Sequence, residues 1–389
     1  MDFDLNDEQR LLKESVDRLL ADRYSFEQRK AYARDSHGYS AALWSQYAEL
    51  GLLALPFAPD DGGLGAGPVE LMLTMEAFGH ALVLEPYFAT VVLGGGMLRH
   101  AGTAEQRASL IPSIAEGTCK LAVGLTERAS RYTLHDVSTR AERGPDGWVL
   151  EGEKGVVLHG DSADHLIVSA RVAGAQRDRD GIALFLIDAT APGVARTGYD
   201  TQDGLRAAQV TLAGVKVGPE GALEHAGAAI DVIERVAQEA IAALSAEAVG
   251  TMAAMHALTL DYIKTREQFG KPIGANQVVQ HAAADMFVAL EQARSMMLYA
   301  TMMAHDDDAD ERARAMAAAK VQIGRSGKAL GETAIQLHGG IGMTMEYAVG
   351  HHFKRMTMID KQFGDSDHHL TALAARGGLF RTDDLEAGR

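Results

Sequence analysis

Two stretches decide how this chain is read. They are Thr265-Arg266-Glu267-Gln268-Phe269-Gly270-Lys271-Pro272-Ile273-Gly274 and Gln336-Leu337-His338-Gly339-Gly340-Ile341-Gly342. Each follows apolar residues at helical spacing and breaks in a glycine-containing turn. The second has the glycine density of a dinucleotide fingerprint but not its context. Such fingerprints follow a strand and open a helix, whereas Gly339 closes one. By itself the cluster reads as a glycine C-cap. Arg266 carries a planar fork that can hold phosphate oxygens bidentately. By itself it reads as one half of a surface ion pair.

Around these turns the chain is helical. After Gly227, helical patterns fill residues 228–268, 277–305, 310–338 and 366–375. The first three are long, and a bundle is how such helices bury their apolar stripes. From Lys120 the texture differs. Strand-length apolar runs at 121–125, 148–152, 156–158, 166–170, 182–187, 209–212 and 215–217 are punctuated by Gly, Pro and Asp. Strands without intervening helices predict an antiparallel sandwich or barrel, not βαβ units. Before Lys120, helices are expected from Asn6 or Asp7 to Ala21, from Ser40, and over 68–82, 91–100 and 105–115. The predicted fold class is α+β. An N-terminal α-helical domain (1–120) precedes a β-barrel domain (121–226) and a C-terminal long-helix bundle (227–389). The polar tail 381–389 reads as frayed.

The apolar share of 47% supports a packed core, and 389 residues suffice for two or three domains. A formal charge of -16 argues against a nucleic-acid binder, which needs clustered Lys and Arg. The single cysteine, Cys119, excludes an internal disulfide and argues against a Cys-based zinc site. The acidic N-terminus resembles neither a signal nor a transit peptide. No apolar run reads as a bilayer span, so a cytoplasmic protein without membrane attachment is expected. No metal site is expected. Neighbouring histidines at 351–352 and 368–369 point about 100° apart on a helix and read as solvent-facing. Asp306-Asp307-Asp308 lacks the Gly and terminal Glu of a calcium loop.

The α–β–α order, with the Arg266 and Gln336–Gly340 turns, resembles the acyl-CoA dehydrogenase family over essentially the whole chain. The segment Phe363-Gly364-Asp365-Ser366-Asp367-His368-His369 resembles small subunits of pimeloyl-CoA-dehydrogenase type and partner chains of heteromeric steroid side-chain enzymes. The resemblance implies an FAD-dependent acyl-CoA dehydrogenase. Its reaction would be α,β-desaturation of an acyl thioester in fatty acid or steroid side-chain catabolism. It implies electron-transfer flavoprotein as acceptor, and a homotetramer or a heterotetramer with a homologous chain. By resemblance, Arg266, Phe269, Gln277, Gln336, Gly339, Gly340, Ser366 and His368 contact FAD. Thr126 and Ser130, in the stretch Leu125-Thr126-Glu127-Arg128-Ala129-Ser130, are expected beside the flavin. Here Arg128 replaces the family's proline, and Val156-Val157-Leu158 replaces its Trp-Ile-Thr/Ser segment.

The reaction needs a positioned, desolvated base to remove an α-proton. Where many members carry that glutamate, this chain has Gly364; at the position some use instead, it has Ala240. Asp365 adjoins the vacancy and also suits a helix cap. Glu247, among small residues, faces either an acyl pocket or a helix partner. Glu239 adjoins Ala240 but is turned away by one residue of helix. A second polypeptide that supplies the base is the remaining alternative. Two further readings stay open: a non-catalytic homologue that stabilises a partner or binds CoA esters, and a family member with a changed flavin reaction.

Overall fold

A computed structural model describes residues 4–379, so the tail from 381 lies outside the described residues. The chain divides into two compact units. One collects the residues up to 31, 68–83 and those from 241 onward; the other holds 32–67 and 84–240. The helices before residue 120 are thus divided between the two units.

The second unit carries helices α3 (Ala41–Glu49), α5 (Gly95–Ala101) and α6 (Ala104–Ala115). Ser40 caps α3, and a Thr103–Gln106 capping box opens α6. A buried π-helical turn, Phe88–Gly94, leads into α5 where a plain helix was expected. The sheet of this unit contains β1 (Leu121–Gly124), β2 (Arg140–Gly144), β3 (Gly147–Leu158), β4 (His165–Arg171), β5 (Ile182–Asp188), β6 (Val194–Asp200) and β7 (Arg206–Val217). The order is β1-β4-β2-β3-β7-β6, with β5 on β4. Most pairings are antiparallel, as expected, but β1 and β2 both run parallel to β4. Residues 148–152 and 156–158 are one strand, broken in register between Lys154 and Val157. The break accommodates Val156 at φ 52°, a bulge that raises local twist. Leu150, Val157, Leu166, Phe185 and Val210 form the centre of the core.

The other unit is helical: α1 (Asp7–Arg23), most of α2 (Phe26–Tyr32), α4 (Pro68–Ala81), the greater part of α7 (Ile230–Thr265), α8 (Gln277–Met303), α9 (Ala309–His338), α10 (Ala348–Lys361) and α11 (Ser366–Ala375). Asn6 and Gln9 form the capping box of α1, and Asp308 caps α9. By length and composition α7 would cross a membrane, but 78% of its apolar window is buried in the protein, as in a core helix. Glycine lets α4 and α7 cross closely: a Cβ on Gly79 would lie 1.9 Å from the Glu247 carbonyl oxygen. On α9, Gly324, Gly327 and Gly331 share one face. Cβ atoms there would strike Ser366, Met356 and Phe353, so small residues let α10 and α11 seat against α9.

Candidate active site and cofactor-binding turns

α7 ends at Thr265, and the chain turns through a two-residue hairpin, β8 (Glu267–Gln268) with β9 (Lys271–Pro272). Arg266 is exposed and has no ion-pair partner among the described residues. Phe269, at the hairpin tip, is 99% exposed at φ 54°. A bulky residue held left-handed and wet is strained and uncovered. Gln277 opens α8, whose N-cap Asn276 makes no side-chain cap; the amides there are available to an anion.

The second turn ends α9. Gln336 is exposed, and Gly339 adopts φ 64° and ψ -139°. Added Cβ atoms at Gly339, Gly340 and Gly270 would meet nothing within 4 Å. The backbone of both turns therefore presents an open face on which phosphate can approach. His338, just before Gly339, is buried and stacks on Tyr262 of α7 at 4.5 Å between ring centroids. The two turns are thus brought together in one unit. An unpaired Arg, open glycine backbone and an uncovered aromatic fit a dinucleotide cofactor.

The loop before α11 differs from expectation. Phe363 and Gly364 have φ 56° and 106°. A Cβ at Gly364 would lie 2.5 Å from Cδ2 of His368 and 2.8 Å from Nε2 of His369. The histidine rings occupy the space into which a side chain at 364 would grow. Three anchors hold the loop. Lys320 donates to the carbonyls of Ile359, Asp360 and Gln362 at 2.7, 3.0 and 2.9 Å. His369 Nε2 donates to the Phe363 carbonyl at 2.8 Å. Asp360 accepts the Ser366 hydroxyl at 2.7 Å. Burial pushes the Lys320 pKa down to about 8, against the pull of Asp360 and Asp365. Burial likewise lowers His369 to about 4, so it is neutral.

Both proposed bases are committed elsewhere. Asp365 caps α11 by accepting the His368 amide at 3.0 Å and approaches Lys361 at 3.3 Å. Glu247 is buried and faces a helix partner: Arg355 of α10 donates Nε and Nη2 to it at 2.5 and 2.7 Å. That pair spans 108 positions, and nothing local in the sequence announces it. Glu239 is buried against Arg99, His100 and Arg235. Burial would raise its pKa, but those three partners hold it far below the carboxylate range.

In the sheet unit, Ser130 closes a turn, exchanging hydrogen bonds with the backbone of Glu127 at 3.0 Å, and the Thr126 carbonyl accepts from Gly155 at 2.8 Å. Both are thus engaged in loop geometry through these atoms. Ser366 spends its hydroxyl proton on Asp360. The histidine pairs are less exposed than expected: His351, His352 and His369 are buried, with His352 driven by burial to about 3. No metal-binding cluster exists among the described residues.

Family models for the acyl-CoA dehydrogenase N-terminal, middle and C-terminal domains match residues 6–118, 122–215 and 227–378. The chain belongs to the acyl-CoA dehydrogenase family. It is 31% identical to the acyl-CoA dehydrogenase FadE12 of Mycobacterium tuberculosis over 80% of this chain and 81% of that one. Among solved structures it resembles a variant of the steroid acyl-CoA dehydrogenase Tcur3481-Tcur3483, with 30% identity, TM-score 0.85 and coverage of 95% and 97%. It also resembles the ChsE4-ChsE5 complex of Mycobacterium tuberculosis, with 25% identity, TM-score 0.86 and coverage of 96% and 98%. A third, PigA with FAD, has 25% identity, TM-score 0.88 and coverage of 97% and 100%. This acyl-CoA dehydrogenase is therefore a flavoprotein oxidoreductase with FAD as its cofactor.

Proposed function

We propose that this chain serves an FAD-dependent acyl-CoA dehydrogenase as one chain of a hetero-oligomer, in which a second, homologous chain carries the catalytic base. The observation that carries this is the loop at Gly364. Its backbone is left-handed and its side-chain space is filled by His368 and His369. The carboxylates of Asp365 and Glu247 have structural partners. In a chain built this way, none of the three carboxylates considered as its own base is free for an α-proton.

When bound, FAD accepts the β-hydride of the acyl thioester, which the protein orients. Arg266 would hold pyrophosphate by charge-assisted hydrogen bonds, worth about 1.5–3 kcal/mol. The backbone at Gly339 and Gly340 would lie against the phosphates or ribityl chain, with Gln336 and Gln277 as polar contacts. Phe269 would be covered by the cofactor or by the chain that shares it. The resemblance to the ChsE4-ChsE5 complex supports a two-chain assembly. An electron-transfer flavoprotein would serve as the electron acceptor of the assembled enzyme.

The test is anaerobic flavin bleaching by a panel of acyl-CoA esters. It is run on the purified chain and on the chain co-expressed with the homologous neighbour from its own genome. Yellow protein that bleaches only with the partner is the expected result. Bleaching of the isolated chain at a comparable rate removes the need for a partner base and overturns the proposal.

A further inference from the structure

Three elements end or begin at one point. α7 stops just before Arg266, α9 stops at His338 just before Gly339, and Tyr347 is the N-cap of α10. Their rings meet. His338 lies on Tyr262 at 4.5 Å and 25°, and Tyr347 closes on His338 at 5.0 Å and on Tyr262 at 6.3 Å. His338 Nδ1 donates to the Ala334 carbonyl at 2.8 Å, which fixes the ring's orientation at the end of α9.

We propose that the Tyr262–His338–Tyr347 stack is a positioning device that sets the Arg266 turn and the Gly339–Gly340 turn in register for FAD. This rests on the assignment of those turns to the cofactor. Tyr262 is one helical turn before Arg266, so fixing its ring fixes the helix end that carries the guanidinium. His338 immediately precedes two glycines whose missing side chains leave them nothing to pack on. Unanchored, such a turn would have to be ordered when the cofactor binds, at an entropic cost to affinity. The stack orders it beforehand. Burial lowers the His338 pKa from its ordinary value, against the hydrogen bonds to backbone that would raise it.

The experiment measures the rate of FAD loss from purified holoprotein by flavin fluorescence. It also records the visible circular dichroism of the bound flavin and the melting temperature of the apoprotein. His338→Leu and Tyr262→Leu are expected to speed FAD loss about 3–10-fold, the equivalent of one aromatic pair, and to change the flavin dichroism. His338→Phe, which keeps an aromatic ring in the stack while giving up the imidazole hydrogen bonds, is expected to stay within about 2-fold of the parent. Should His338→Leu fail to fold, Tyr347→Leu tests the rim of the same stack. Arg266→Ala reports on the underlying site. If it speeds FAD loss while the Leu variants do not, the stack has no positioning role and the inference falls. If Arg266→Ala changes nothing either, the turns are not the FAD site and both readings fall. Leu and Phe variants that lower the apoprotein melting temperature equally and leave FAD loss unchanged mark the rings as packing alone, which also overturns it.

Discussion

Gly364 has φ +106° and follows Phe363 at +56°, a pair of left-handed residues that only a braced loop retains. Gly364→Ala is expected to cost about 1–2 kcal/mol for the left-handed backbone, more if the His368 and His369 rings cannot yield. Gly364→Glu should likewise destabilise and should not install a base; flavin bleaching by that variant alone, at family-like rates, would show the loop to be more permissive than its geometry. Glu247 calls for the opposite readout. Removing one member of a buried bidentate pair leaves Arg355 uncompensated, so Glu247→Ala should lower stability by about 3–5 kcal/mol in denaturant titration. The flavin-reduction rate per folded holoprotein should stay unchanged; a fall of about 10²–10⁴ with normal stability would restore Glu247 as a base. The sheet unit holds a second buried pair, Glu127 with Lys154 at 2.6 Å. Burial would raise the Glu127 pKa. The Lys154 charge and hydrogen bonds from Lys154, Ser138 and Thr139 outweigh burial and bring it to about 2. Its folded pKa is depressed, so its contribution is present above about 4.5 and lost as pH falls toward 2. Melting temperature against pH should drop across that window, and Glu127→Gln should flatten the drop.

α11 begins with Asp365 accepting the His368 amide, which separates a cap from a base by experiment. Asparagine caps as well as aspartate. Asp365→Asn should therefore leave both stability and flavin reduction intact, while Asp365→Ala should cost about 1 kcal/mol. A rate loss of about 10² or more in Asp365→Asn, with an unchanged melting temperature, would reverse the assignment. The same local chemistry explains which elements could be read beforehand. Asn6 and Ser40 cap where their side chains predict, and the long helical patterns became α7, α8 and α9 within a few residues. α10 was not anticipated, because Gly350, His351, His352 and Thr357 blur its stripe and its stability comes from packing on α9. β2 and β6 were missed because their residues are largely polar and exposed, so neither shows a clean apolar alternation. The parallel pairing of β1 and β2 with β4 is a long-range choice that no local pattern encodes. At the site, the glycine turns were visible as breaks in helical period. The partners of Glu247 and Lys320 lie 108 and about 40 positions away and could not be seen. The histidines misread as solvent-facing are buried by elements distant in sequence.

The helical unit leaves several large apolar side chains exposed. Phe269 (99% exposed), Val278 (76%) and Met343 (76%) lie on or beside the two cofactor turns, and Phe287 and Val288 are half-exposed on α8. Single exposed apolar residues are ordinary; several on and near the turns proposed to hold FAD are what an interface there would cover. If a second chain covers them, cofactor retention and association are linked: each FAD is enclosed only when two chains meet, and binding stabilises the assembled form. The expected state is a dimer or a tetramer of paired dimers, with FAD near stoichiometric. Val278→Asp combined with Val288→Asp should weaken association by placing charge in the covered face, and FAD should be lost in parallel with assembly as protein is diluted. Light scattering with simultaneous flavin absorbance measures both. If monomers of the parent chain retain FAD at high dilution, or the double variant dissociates with its flavin still bound, then one chain encloses the cofactor, and the exposed face serves some other contact.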